Sequence, residues 1–75
     1  MSRYILKSKN GKSYVYGFDN PLSQYFLDKA GKSLVGPLSP AYGDNSTMFD
    51  KMQKEGIWEE IPEEHRDAIM GDLTF

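Results

Sequence analysis

KNGKSYV, residues 9 to 15, recurs twenty residues later as KAGKSLV, residues 29 to 35, with Lys, Gly, Lys, Ser and Val in matching places. Two readings of this repeat compete. A phosphate-binding loop needs G-x-x-x-x-G-K-[ST] between a strand and a helix, so that glycine-rich backbone wraps the phosphates and the helix amino end adds a favourable dipole. Leu6 and Phe26 stand where the leading glycine belongs, and the YVYGF and LVGPL that follow each triplet are strand-like. Both copies therefore read as hairpin turns, and the fold follows from that choice.

Around the first copy, RYILK (3–7) is β-branched and aromatic, Asn10-Gly11 interrupts, and SYVYGF (13–18) resumes. This is a hairpin pattern, and the period of two places Tyr14, Tyr16 and Phe18 on one sheet face and Val15 and Gly17 on the other. The three aromatics mark the core face. Asp19-Asn20-Pro21 reads as a turn, because Asp and Asn bond their own backbone and Pro bars the residue before it from helix. Around the second copy, QYFLD and KSLVG flank Asp28-Lys29-Ala30-Gly31, whose spacing suits a type I turn closed by a left-handed glycine. Gly36-Pro37 and Pro40 end or bulge the last strand, which makes it an edge.

After a loop from Pro40 to Asn45 the period changes. Met48, Phe49 and Met52 form an apolar stripe at helical spacing, with Thr47 and Asp50 placed as a capping pair and Gly56-Ile57 as a left-handed carboxyl cap. In IPEEHRDAIM, Pro62 suits a first turn and Glu63 and Glu64 suit the positive end of the helix dipole. Ile61, His65, Ala68 and Ile69 share one face of this second helix, Gly71 stops it, and Leu73 and Phe75 are placed to pack back on the core.

The expectation is an α+β fold: an antiparallel meander of three to four strands, in two hairpins, followed by two short C-terminal helices packed on one face. Residues 1–75 form a single domain, with a β-hairpin half at about 3–38 and a helical half at about 45–70. A chain of this length buries only about 60% of the surface it exposes when unfolded. Having no cysteine, it lacks disulfides and thiolate metal ligands, so the ten aromatics must carry much of the core. No apolar run is long enough for a membrane span, and MSRYILKSK lacks the apolar stretch of a secretion leader, so a cytoplasmic monomer without membrane partners is expected.

Charge divides the chain. Residues 1 to 35 carry a net +4 and the remainder −6. In a meander the first and third turns lie at the same end of the sheet. Lys7, Lys9, Lys12, Lys29 and Lys32 are then candidates for one anion-binding or nucleic-acid-binding rim, the alternative being lysines that keep hairpin tips soluble. Trp58 with Glu59 and Glu60 is a candidate protein-docking surface, because tryptophan is enriched at interface centres, although helix-start acids need no partner.

No constellation for catalysis, cofactor or metal emerges. His65 is the only histidine; its spacing turns it toward apolar neighbours, and EEHRD is not H-E-x-x-H. Asn45-Ser46-Thr47 matches a glycosylation triplet but reads as helix-capping residues.

YGFDNPLSQYFLD (16–28) and IPEEHRDAIMGDLTF (61–75) resemble short bacterial proteins with a similar Tyr-Gly-aromatic-Asp start and an Asp-Leu-x-aromatic tail. No activity is attached to that group, so the resemblance implies a small bacterial or mobile-element protein and transfers no site residue. Size, composition and divided charge together point to a small non-enzymatic binding module whose partner is a protein, with nucleic acid as the alternative.

Overall fold

The computed structural model describes residues 2–75, and the strands fall where the alternation puts them. They are β1 (Tyr4–Lys7), β2 (Ser13–Asp19), β3 (Gln24–Lys29) and β4 (Lys32–Val35), paired antiparallel in the order β1-β2-β3-β4. The register sets Tyr4 opposite Tyr16, Gly17 opposite Phe26, and Phe18 opposite Tyr25. Tyr14, Tyr16 and Tyr25 consequently share the face that the helices cover, and all three are buried.

The repeated segment folds into two different turns. In the first, Ser8 N–H bonds Lys12 O and Gly11 N–H bonds Ser8 O, with Gly11 at φ 85°. This is a three-residue loop ending in a left-handed glycine. In the second, Lys29 pairs directly with Lys32, which leaves only Ala30 and Gly31, at φ 50° and 84°. Both central residues are left-handed, as in a type I′ turn, not the type I turn expected from Asp28 and Gly31. A two-residue connection needs this mirror-image form, because its twist matches that of the strands. The β3–β4 pairing carries an irregularity at Leu27/Asp28, in keeping with an edge strand that its prolines interrupt.

Between β4 and the helices the chain crosses the edge of β3, where Tyr25 N–H donates to Gly43 O. A methyl group on Gly43 would overlap the Tyr25 carbonyl oxygen, so only glycine allows the loop this close. Helix α1 (Asn45–Glu55) follows, capped not by Thr47 but by Asp44, whose extended backbone lets its carboxylate accept from Thr47 N–H. Asn45, Ser46 and Thr47 form the helix's first turn. At the other end Gly56 is left-handed and Ile57 N–H returns to Met52 O, which is the expected carboxyl cap.

A single 3₁₀ turn, Trp58–Glu60, which periodicity did not reveal, leads into α2 (Glu63–Met70). The left-handed residue that ends α2 is Asp72 (φ 57°), while Gly71 keeps a negative φ. Leu73 N–H then reaches back to Ala68 O. Leu73 itself is 62% exposed, contrary to the expectation that it packs on the core, whereas Phe75 does pack there.

Helix α1 lies on β3 and β4 and against α2, while α2 sets His65 over Tyr4 and Tyr16. Met48, Met52, Ile57, Ile61 and Ile69 meet the tyrosines, Leu27 and Val35 in one cluster. Each such side chain contributes about 1.5–3 kcal/mol on full burial. No helix among the described residues is long and apolar enough to cross a membrane.

Candidate binding surface

The meander brings the two lysine-bearing turns to one end of the sheet, but the end is not purely cationic. Lys29 lies on the inner face, its Nζ 2.9 Å from Glu55 Oε1 at the carboxyl end of α1. The same oxygen accepts from Tyr14 Oη at 2.9 Å, and Tyr14 Oη accepts from Asn10 Nδ2 at 3.1 Å. The Lys29 ammonium, then the tyrosine hydroxyl, hold the Glu55 carboxyl below the usual carboxylate range. Glu55 in turn raises Lys29. Lys7, Lys9, Lys12 and Lys32 are exposed and, among the described residues, form no ion pair.

The candidate docking set divides. Trp58 is half-buried and meets Phe49 edge-to-face, with ring centroids 4.8 Å apart, so it joins the 3₁₀ turn to α1. Glu59 extends into solvent, 3.9 Å from Arg66. Glu60 accepts from Ser8 Oγ at 2.7 Å and from Lys9 N–H at 3.0 Å, and these bonds, the hydroxyl first, lower its carboxyl. It fastens the first turn to the helical half.

His65 is 8% exposed, with Nδ1 2.7 Å from Tyr16 Oη. Which of the two donates depends on the imidazole tautomer. Phe75 stacks on the imidazole at 5.0 Å and Tyr4 closes it at 4.2 Å. Burial, then Tyr4 and Glu64, push the Tyr16 phenol up to about 12. The arrangement places this histidine inside an aromatic layer of the core.

The surface that the sequence did not disclose is the opposite face of the sheet. The register puts Ile5, Val15, Gly17, Phe26, Asp28 and Ser33 there, away from both helices. Phe26, 9% exposed, lies across Gly17 and beneath Gly36. It forms the floor of an open groove of about 340 Å³. Leu22, Pro37 and Leu38 wall the groove, and Arg3, Asp19 and Asp28 supply its charge. None of these three charged groups is in an ion pair among the described residues.

Leu38 is 91% exposed, Ile5 72% and Leu22 52%. Leu22 and Leu38 each occupy the centre of a Pro-Leu-Ser triplet, residues 21–23 and 37–39. That second repeat is the signal by which they could have been found: a large apolar residue set in turn chemistry, where neither strand nor helix needs it. Compared with known protein families, curated proteins and solved structures, the chain matches none.

Proposed function

We propose that this chain is a small non-enzymatic binding module that docks a partner protein on the face of the sheet left bare by the helices. The observation that carries the proposal is the groove over Phe26, with Leu22 and Leu38 held out beside it. Apolar side chains presented on ordered turns around a concave floor gain about 25 cal/mol for each Å² they bury against a partner. Two carboxylates, Asp19 and Asp28, against one guanidinium, Arg3, favour a partner segment that couples an apolar side chain with a lysine or arginine.

The second reading is nucleic acid on the rim of Lys7, Lys9, Lys12 and Lys32. The convergence of the two turns supports it. Glu55 and Glu60, set among the lysines, weaken the field that phosphate would meet.

Affinity capture from host lysate at low salt separates these readings when it is run with and without nuclease, for the parent and for a Leu22→Ser, Leu38→Ser variant. Both replacements are at exposed turn positions, so the fold is expected to persist, which circular dichroism checks. A protein recovered by the parent, resistant to nuclease and lost with the variant, supports the groove. Material that disappears with nuclease transfers the function to the lysine rim. Equal recovery by parent and variant would overturn the proposal.

A further inference from the structure

The two edges of the sheet are finished differently. Past β4 the chain turns back on itself: Gly36 N–H donates to Ala41 O, and Ser39 Oγ donates to Leu34 O. Among the described residues β1 has no such cover. In an antiparallel pair, residues alternate between facing the neighbouring strand and facing away. Ser2 N–H bonds Phe18 O and Ser8 N–H bonds Lys12 O, so the even-numbered residues of β1 face β2. The N–H and C=O groups of Ile5 and Lys7 therefore point outward from the sheet, while just before β1 the Ser2 carbonyl lies over Gly17. Among the described residues nothing outside the sheet bonds them.

Their side chains have a definite pattern. Arg3 and Lys7 are exposed and flank Ile5, itself 72% exposed, all on the same face. A second copy pairing antiparallel about Ile5 would set Arg3 opposite Lys7 twice, and like charges directly opposite are destabilising. The edge repels its own copies. The same two cations suit a strand with carboxylates four residues apart and an apolar residue midway between them.

We propose that β1 is a strand-addition site for an extended acidic segment of a partner protein, with the pattern acid-x-apolar-x-acid. Backbone hydrogen bonds from Ile5 and Lys7 hold the added strand, and the side chains of Arg3 and Lys7 select its charge. Arg3 also lines the groove, but Leu22 and Leu38 lie outside this edge, so loss of groove docking in the Leu22/Leu38 variant leaves it standing.

The test is a ¹⁵N NMR titration at low salt with two blocked peptides, Thr-Glu-Thr-Ile-Thr-Glu-Thr and its counterpart with both Glu replaced by Lys. The acidic peptide is expected to shift the amides of Ile5 and Lys7 and slow their exchange, and to bind about tenfold or more tightly than the lysine peptide. Ile5→Pro removes an N–H that β2 does not use, at an edge position where proline is tolerated. The fold is retained and acidic-peptide binding is lost. Lys7→Glu makes the two-fold pairing complementary, so this variant is expected to dimerise in sedimentation while the parent does not. Equal binding of the two peptides, no binding of either, shifts centred on Leu22 and Leu38, or binding that survives Ile5→Pro would each overturn the proposal.

Discussion

A single residue separates the two copies of the repeat at the turn itself, and the residue present is not the one that the turn conformation favours. Asn10, which tolerates left-handed backbone, has negative φ, with its side chain accepting from Lys12 N–H and donating to Tyr14 Oη. Ala30, which does not tolerate it, stands at φ 50° in a two-residue turn. The left-handed region costs a non-glycine residue about 1–2 kcal/mol, and asparagine relieves part of that through its short polar side chain. Ala30→Asn is therefore expected to stabilise the fold by about 0.5–1 kcal/mol without the added unfolded-state freedom of glycine. The check is a higher urea midpoint with unchanged slope. A lower midpoint would mean that the methyl group of Ala30 has a packing role.

At the scale of elements, the helix and strand signals were legible where each rested on a repeating contact. Tyr14, Tyr16 and Phe18 alternate because one side of β2 meets the helices, and Met48 and Met52 recur because one stripe of α1 meets the sheet. Ends were harder to read, since several residues near a boundary can serve and geometry selects among them. Thr47 and Asp50 offered one cap, but the chain turns extended at Asp44, with φ −85° and ψ 170°, and that residue takes the role. Asp44→Ala is expected to cost about 1 kcal/mol, while Asp44→Asn retains most of the stability; urea denaturation of both variants measures it. Equal losses in the two would assign the effect to carboxylate charge, not to the hydrogen bond to Thr47. The groove stayed hidden for a related reason: Leu22 and Leu38 lie in turns, where apolar character carries no period, and only the paired strands show that both flank Phe26.

For the whole molecule, the division of charge along the chain acquires an internal meaning. The basic sheet half and the acidic helical half meet through Lys29 and Glu55, and through Ser8 and Lys9 with Glu60. Part of the asymmetry that suggested external partners is used within the fold. The tyrosines of the inner face serve the same junction: Tyr14 reaches Glu55, Tyr16 reaches His65, and Tyr25 donates to Leu73 O at 2.7 Å. Each ring fills the core while its hydroxyl joins a polar group of the helical half or tail, which is how a chain without disulfides ties its two halves together. Burial, the leading cause in each case, pushes the phenols of Tyr16 and Tyr25 up from 10.0 to about 12. A phenol that ionises later in the folded chain than in the unfolded one keeps its proton longer when folded, so its contribution is complete below pH 10 and is lost as pH rises toward 12. The expected outcome is cooperative alkaline unfolding in that window, with tyrosinate absorbance and loss of circular dichroism rising together. Tyr16→Phe and Tyr25→Phe combined should lower stability at neutral pH, because His65 and Leu73 O lose partners, yet flatten the decline above pH 10. Tyrosinate absorbance that follows a simple titration centred near pH 10 with the dichroism unchanged would show that water already reaches these hydroxyls and that the junction between the halves rests on apolar packing alone.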